Sequence, residues 1–532
     1  HAPNRLHPNQ HSDAITRAAA AKFSEVAQYL EKRKQAETAR IAGFITQLVF
    51  SMFAEDVRLL PPGFSDEKGV LTDILVSGRP MQAVNALRML FEAMRHGGSY
   101  HTAKIEWFNG NLFNEIEVFD VDSDMLRQLA DASRLDWSTV EPSIFGTLFE
   151  RVLDKSKRRK LGAHYTSADD IKAIVEPVLM RPLRRAWEAA QAEAAPIRLE
   201  YDDAVTDHAR KRIGGKLERI RKAILKQVRE IKVLDPACGS GNFLYVSLRS
   251  LLDLEAEIVS SLLWEGLPRE DIHVNPKQLY GMEIDPIAHR LASIVVWIGF
   301  LQWKYEYRMP LIDKPPILHD LNRANIKRMD AILTYDADGK PIEPEWVAAD
   351  VIIGNPPFLG GKRQRTELGD KYLDDLFALY DKRVPHEADL VTYWFEKART
   401  QIKTGKAKRA GLISTNSIRG GVNRGVLERI KDSGDIFMAW ADRAWVLEGA
   451  AVRVSMVGFD AKQETERSLD GKPVSAINAD LTARIDLTKA RKLEENANLA
   501  FMGVTPAGKL DIPSQVASEM ISKSPQLSDV LK

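Results

Sequence analysis

Nine consecutive residues, Asp350-Val351-Ile352-Ile353-Gly354-Asn355-Pro356-Pro357-Phe358, combine types and spacing that could do chemistry. An apolar run reads as a buried strand that ends at Gly354, because neither proline has an N–H to continue a sheet ladder. Asn355 and Phe358 are then displayed on a stiff, extended rim. The Asn355 amide oxygen and the Pro356 carbonyl can accept hydrogen bonds from an exocyclic amine, and Phe358 offers a face for a planar ring. An amine held in this way has its lone pair drawn out of conjugation and becomes a nucleophile for a methyl group. Such a rim needs a methyl donor and a planar guest, and the rest of the chain must position both.

Two strand–turn–helix units precede the rim. Ile231 to Leu234 reads as a strand, followed by Asp235-Pro-Ala-Cys-Gly239-Ser-Gly241-Asn-Phe-Leu and a helix to roughly Trp264. This arrangement lets backbone approach a ligand closely at the carboxyl end of a parallel strand. Its glycines lack the G-x-G-x-x-G spacing of a dinucleotide site, which argues against an oxidoreductase. In the second unit, Gln278 to Pro286, Glu283 stands at the strand end, where an acid can accept both hydroxyls of a ribose. Its distance from Asp235 is about twice the usual ~20 residues, so the first helix and loop are expected to be extended.

A third strand is expected at Ile317 to Asp320, placing Asp320 on the same rim. Asp336-Ala-Asp-Gly339 lacks the later ligands of a Ca²⁺ loop and reads as a turn. Beyond the rim come a basic loop with Lys362, Arg363 and Arg365, a helix from about 367 to 403, a strand at 410–414, a helix near 424–432 and strands near 435–441 and 452–459. Strands alternating with helices imply an α/β fold, a mostly parallel sheet with helices on both faces. Residues 183–230 are helical and charged and read as a surface insertion ahead of the sheet.

Upstream, residues 1–14 are polar and expected to fray. Apolar residues then recur at helical spacing from Ile15 to Phe53 and again over 69–96, with short strands around Asn109-Gly110. Residues 1–150 therefore read as a mainly helical accessory or spacer domain. No glutamate there is followed two places on by lysine, which argues against a metal-dependent Glu-x-Lys nuclease site in this stretch. Arg151, Lys155, Lys157, Arg158, Arg159 and Lys160 form a basic lead-in, readable as a solvated linker or as a contact to a nucleic-acid backbone. Gly162 to Ser167 follows, with Thr166 or Ser167 as a natural helix cap and a fair place for a carboxylate.

Composition sets the frame. The 532 residues suffice for two to four domains. With 44% apolar and 28% charged residues and a net charge of +1, global electrostatics select no polyanionic partner, so any such partner must be read from local features. A single cysteine excludes an intrachain disulfide framework and a Cys-rich zinc site, and fits a reducing cytoplasm. No apolar stretch reaches bilayer-spanning length. Residue 1 is His, so the chain is expected to continue upstream.

Together these residues resemble S-adenosylmethionine-dependent DNA amino-methyltransferases of the γ arrangement, in which cofactor motifs precede the catalytic one. Within them the chain is similar to the MmeI-like restriction-modification proteins. The likeness rests on Phe145-Gly-Thr-Leu-Phe-Glu-Arg151, Gly162-Ala-His-Tyr-Thr166, Asp235 to Phe243 and Asn355 to Phe358, in that order, and covers roughly residues 140–465. It implies a Rossmann-like class I methyltransferase domain at 151–465, acting in a prokaryotic cytoplasm on the N6 amine of a flipped-out adenine in double-stranded DNA. Within that domain Tyr165 and Thr166 would hold the methionine end of the cofactor, Asp235, Gly239 and Gly241 its cradle, Glu283 the ribose and Asp320 the adenine amine. Asn355, Pro356 and Phe358 would grip the target adenine. Asp389, Leu390 and Tyr393 match the family's helix beside the cofactor, and Trp445 is the candidate for its second aromatic, opposite Phe358. Lys362, Arg363 and Arg365 stand where they could touch DNA phosphates. No metal is implied, and Cys238 is expected to be a packed residue of the cofactor loop, not a nucleophile.

Other readings share this chemistry: a cytosine-N4 enzyme, disfavoured by Asn where Ser is expected before the prolines, or an enzyme acting on RNA guanine N2 or a protein glutamine amide. A non-catalytic DNA-binding or assembly subunit is the reading from a different class. Residues 466–532 form a C-terminal segment in which Phe501 to Leu510 resembles the opening of the family's target-recognition domain. Too few residues follow for a full domain of that kind, so recognition is expected to come from further sequence or from a separate subunit.

Overall fold

A computed structural model describes residues 8–33, 38–64, 68–142, 168–312, 315–321, 325–447, 450–484 and 514–524. The centre of residues 1–484 is a nine-stranded sheet. Its strands are β1 (Val233–Asp235), β2 (Leu279–Glu283), β3 (Ile326–Arg328), β4 (Val351–Gly354), β5 (Arg409–Thr415), β6 (Asp435–Leu447), β7 (Ala450–Asp460), β8 (Arg467–Leu469) and β9 (Lys472–Val474). In space they run β3-β2-β1-β4-β5-β7-β6-β8-β9. The first five are mutually parallel, and β7 enters antiparallel between β5 and β6. This is the Rossmann-like class I methyltransferase fold, preceded by a mainly helical region.

The chain travels outward from β1 through β2 to β3, then returns to lay β4 on the other side of β1. At such a reversal the connections leave the carboxyl ends of the two central strands in opposite directions, and a crevice opens between them. β1 and β4 are buried along their whole length, as expected of strands covered on both faces.

The N-terminal helices are α1 (Pro8–Lys32), α2 (Thr38–Asp56), α3 (Val70–Val76), α4 (Pro80–His96) and α5 (Ser123–Ser133). Between them they bury Phe23, Phe44, Phe50, Phe53 and Phe91 in an apolar cluster continuous with the sheet's. After α6 (Ala168–Val175) and a π-helical turn at Glu176–Met180, the expected insertion appears as two helices, α7 (Arg181–Asp202) and α8 (Asp207–Glu230). Helices α9 (Asn242–Val259) and α10 (Pro286–Glu306) follow β1 and β2, while α11 (Gly361–Leu368), α12 (Asp370–Leu379) and α13 (Thr392–Lys403) lie between β4 and β5. Helix α14 (Arg424–Ser433) follows β5, and α15 (Ser514–Lys523) belongs to a separate unit beginning at Ile485. No helix of the described residues is long and apolar enough to cross a membrane.

Six expectations are corrected. Ile317 to Asp320 is not a sheet strand. Ile317 and Leu318 donate their N–H groups to Trp107 and Phe108 at 2.9 and 3.0 Å, and Leu318 forms a lone bridge with Asn109, so the third strand is Ile326–Arg328. The hairpin expected around Asn109-Gly110 lies earlier, pairing Gly98–Tyr100 with Ala103–Ile105. The stretch from Lys362 to Arg365 is helix, not loop, and the single helix over 367–403 is three helices, α11 ending at Gly369 with φ +88°. The last two main strands extend into a hairpin longer than expected, running to Leu447 and restarting at Ala450. The first helix starts at Pro8, inside the stretch expected to fray; proline is tolerated at a helix start because that N–H needs no partner.

Candidate functional site

The site is built at the carboxyl ends of β1, β2 and β4. Asp235 ends β1, is buried, and accepts from the Ala237 N–H at 3.0 Å through Oδ1, while its Oδ2 meets no hydrogen-bond donor among the described residues. Burial, reinforced by the negative charge of Glu283, pushes its carboxyl up to about 8. The loop after Asp235 turns through two left-handed glycines, Gly239 at φ +53° and Gly241 at φ +87°. Gly241 is required twice over, since a methyl there would stand 2.9 Å from the backbone of Ala292 on α10. Cys238 is buried, its N–H donating to the Met282 carbonyl at 3.0 Å, which stitches the loop to β2.

Glu283, at the end of β2, accepts from the Gly239 N–H at 2.9 Å through Oε2 and from the Asp285 N–H at 2.8 Å through Oε1. Burial pushes its carboxyl above the ordinary range, with the backbone N–H groups opposing. An ionised carboxylate has about four lone-pair positions, so each oxygen keeps room to accept once more. Two hydroxyls on adjacent carbons suit that pair. Asp285 caps α10 by accepting from Ile287 and Ala288, both at 2.9 Å, so the acid and the helix start are held as one rigid corner. Asp320 lies within electrostatic reach of His289 near the start of α10.

β4 ends directly beside Asp235. A methyl on Gly354 would stand 2.5 Å from Asp235 Oδ1, so the two strand ends touch with no side chain between them. Asn355 and Phe358 are half-exposed and Pro356 is buried; Phe358 packs against apolar clusters on both faces of the sheet. The loop that continues from the rim is held from beyond α12: the Leu390 N–H donates to the Leu359 carbonyl at 2.9 Å, and Gln364 Nε2 donates to Ala388 at 2.9 Å. Trp394 Nε1 donates to the Pro236 carbonyl at 3.0 Å, tying α13 to the glycine loop. Trp394 escaped the sequence reading because no motif marks a tryptophan whose partner is a backbone carbonyl 158 positions away.

The structure thus places Asp235, Gly239, Gly241, Glu283, Asn355, Pro356 and Phe358 at or just beyond the carboxyl ends of three neighbouring strands. Tyr393 lies at the start of α13, buried edge-on against Tyr380. Trp445 is 3% exposed and packs into the core beside the sheet, so it is not displayed on the rim. Of the basic candidates, Arg363 pairs with Glu367 at 2.9 Å and Arg365 with Asp370 and Asp374 at 2.8 and 3.0 Å, while Lys362 is exposed. Tyr165, Thr166 and the basic lead-in lie outside the described residues. Among the described residues no group of three or more His, Cys, Asp or Glu is placed to hold a metal ion.

Residues 208–470 match the family model of the MmeI DNA-methyltransferase domain, and residues 39–113 that of the MmeI helicase spacer domain. The chain belongs to the MmeI-like family. DNA methyltransferase A of Bacillus subtilis (strain 168) is 29% identical over 461 residues, covering 83% of this chain and 48% of that protein. A putative type II restriction enzyme and methyltransferase of Methanocaldococcus jannaschii is 26% identical over 229 residues, covering 37% of this chain and 18% of its own length. The chain therefore spans about half of one curated relative and a smaller share of the other. Among solved structures, the type IIL restriction-modification enzyme MmeI in complex with DNA superposes with a TM-score of 0.71 at 24% identity, over 96% of this chain and 68% of that one, a likeness of fold.

The cofactor of this MmeI-like methyltransferase domain is S-adenosylmethionine, and the crevice fits it. At Gly239 an added side chain would meet nothing within 4 Å, so the loop's backbone is open there, Glu283 keeps acceptor capacity for a diol, and the buried Asp235 Oδ2 has no hydrogen-bond partner among the described residues.

Proposed function

We propose that this chain transfers a methyl group from S-adenosylmethionine to the N6 amine of an adenine flipped out of double-stranded DNA, as part of a prokaryotic restriction-modification or related defence system. The observation that carries the proposal is the direct contact between the end of β4 and Asp235, which sets an amine-gripping Asn-Pro-Pro-Phe rim against the donor crevice. Bound in the crevice, the cofactor supplies an electrophilic sulfonium methyl.

The protein's own part is positioning. Glu283 and the glycine loop orient the donor, while the Asn355 amide oxygen and the Pro356 carbonyl accept the two hydrogens of the amine and turn its lone pair toward the methyl. Pre-paid orientation of this kind contributes several kcal/mol to bimolecular reactions, ~7 or more in favourable cases. Phe358 stacks on the extruded base, offsetting its lost stacking by roughly 1–3 kcal/mol. No covalent enzyme intermediate is needed, consistent with Cys238 lying buried in the loop stitched to β2. Asn before the prolines favours adenine over cytosine as the guest.

Incubation of the chain with methyl-labelled S-adenosylmethionine and unmethylated DNA, followed by digestion to nucleosides, tests the proposal. N6-methyl-2′-deoxyadenosine is the expected product. Label in N4-methylcytosine overturns the choice of base, and label on protein or RNA alone overturns the choice of substrate.

A further inference from the structure

We infer that Asp389 is a positioning residue for methyl transfer: its carboxylate clamps the segment leaving the Asn355–Phe358 rim to the loop that follows β5. This rests on the proposed reading of that rim as the part that grips the base.

Asp389 lies just ahead of α13, far in sequence from everything it holds. Its Oδ1 accepts from the Gly361 N–H at 3.2 Å, three residues beyond Phe358. Its Oδ2 accepts from Ser417 Oγ at 2.6 Å and Asn423 Nδ2 at 2.9 Å, both in the loop between β5 and α14. Asn423 answers, its Oδ1 accepting from the Asp389 N–H at 2.8 Å, and its Nδ2 also reaches Ser417 Oγ at 3.2 Å. One carboxylate therefore takes three donors from two segments, and the Asp389–Asn423 pair is reciprocal. The Gly361 backbone sits so close to this segment that a methyl on it would collide with the Glu387 carbonyl.

This geometry has a mechanical reading. β4 and β5 are adjacent and parallel, so the loops leaving their carboxyl ends run side by side above the crevice. Nothing in the sheet ladder constrains those loops once β4 ends at Gly354. The prolines stiffen the first part of the rim, and Asp389 fixes the part after Phe358. A rim that must hold an amine within hydrogen-bonding reach while a base is driven into it loses rate when its far end swings, because displacement on the order of 1 Å costs about 100-fold. The Asp389 oxygens point at protein donors, so its contribution reaches the reacting atoms only through the segment it holds.

The test uses the full chain. Asp389→Ala and the conservative pair Asp389→Asn and Asn423→Asp, singly and combined, are compared with wild type in three measurements. These are S-adenosylmethionine affinity by calorimetry, single-turnover transfer of labelled methyl to unmethylated plasmid DNA, and amide hydrogen exchange over residues 356–364. The clamp predicts that Asp389→Ala lowers the transfer rate at least 30-fold, leaves cofactor affinity within three-fold, and accelerates exchange in 356–364 while β1 and β2 stay protected. The combined swap restores an amide–carboxylate pair in reverse and recovers rate relative to either single change; faster exchange confined to 356–364, with the melting temperature held, separates the clamp from a merely stabilising role. Unchanged exchange in 356–364, or cofactor affinity falling in step with rate, overturns the clamp. Wild-type protein that methylates no DNA overturns the proposed function instead, and the exchange measurement still decides whether Asp389 holds the rim.

Discussion

In the proposed reaction Asn355 and Asp235 divide the work of the site between them, and each makes a separable prediction. Asn355→Ala removes an acceptor needed when the amine is polarised, so transfer to DNA should fall by about 10²–10³-fold, the cost typical of losing one preorganised hydrogen-bonding group. Calorimetry should show S-adenosylmethionine affinity within a few-fold of wild type, because Asn355 stands on the acceptor side of the crevice. For Asp235 the prediction concerns pH. Its carboxyl lies at about 8 when folded, against an ordinary 3.8. The folded chain then keeps a proton that the unfolded chain releases, so this group's contribution to stability declines as pH rises from about 4 to about 8. Asp235→Asn removes that decline. Cofactor-free Asp235→Asn should lose less melting temperature than wild type between pH 5 and pH 8, and should bind S-adenosylmethionine more weakly at both.

Among the elements, the strand–turn–helix units around Asp235 and Glu283 were legible because a short apolar run, a glycine turn and an amphipathic helix all point to one arrangement. Gly241 shows how tight that arrangement is. Gly241→Ala adds a methyl 2.9 Å from the Ala292 backbone and asks alanine to adopt φ +87°. The expected cost is roughly 1–3 kcal/mol, read as a lower melting temperature, with cofactor affinity reduced at least as much as for any single side-chain truncation in the crevice. Other elements were not legible. Ile317 to Asp320 looks like a strand locally, but its N–H groups are spent on Trp107 and Phe108, partners that no local pattern reveals. The helix over Lys362 to Arg365 begins at the second of two glycines and is almost wholly polar, so periodicity gives no sign of it; Arg363 pairs with Glu367 on the same helix and Arg365 with Asp370 and Asp374 on the next. Asp389 could be named from the resemblance, but its bonds to Ser417 and Asn423 join segments 28 and 34 positions away.

At the scale of the whole molecule, the N-terminal helices are more than a neighbour of the sheet. Gln302, near the end of α10, donates through Nε2 to the carbonyls of Ser138 and Val140 at 2.7 and 3.3 Å, and α2 packs along the same helix. Since α10 begins at the Glu283–Asp285 corner, the spacer region braces the helix that starts beside the proposed ribose-binding acid. Gln302→Leu keeps the packing volume but strands two carbonyls, and should cost about 1–3 kcal/mol. Thermal unfolding measures that cost, and a single cooperative transition is expected if the brace joins both regions.

The touching ends of β1 and β4 carry one more consequence. With Asp235 lying against Gly354, a shift of one strand end meets the other, and the proposed donor and acceptor sides of the crevice should be coupled. Whatever factor bound S-adenosylmethionine applies to the affinity for DNA, DNA must apply to the affinity for S-adenosylmethionine. The two ligands therefore report on each other, and titrating either one measures how the other is held.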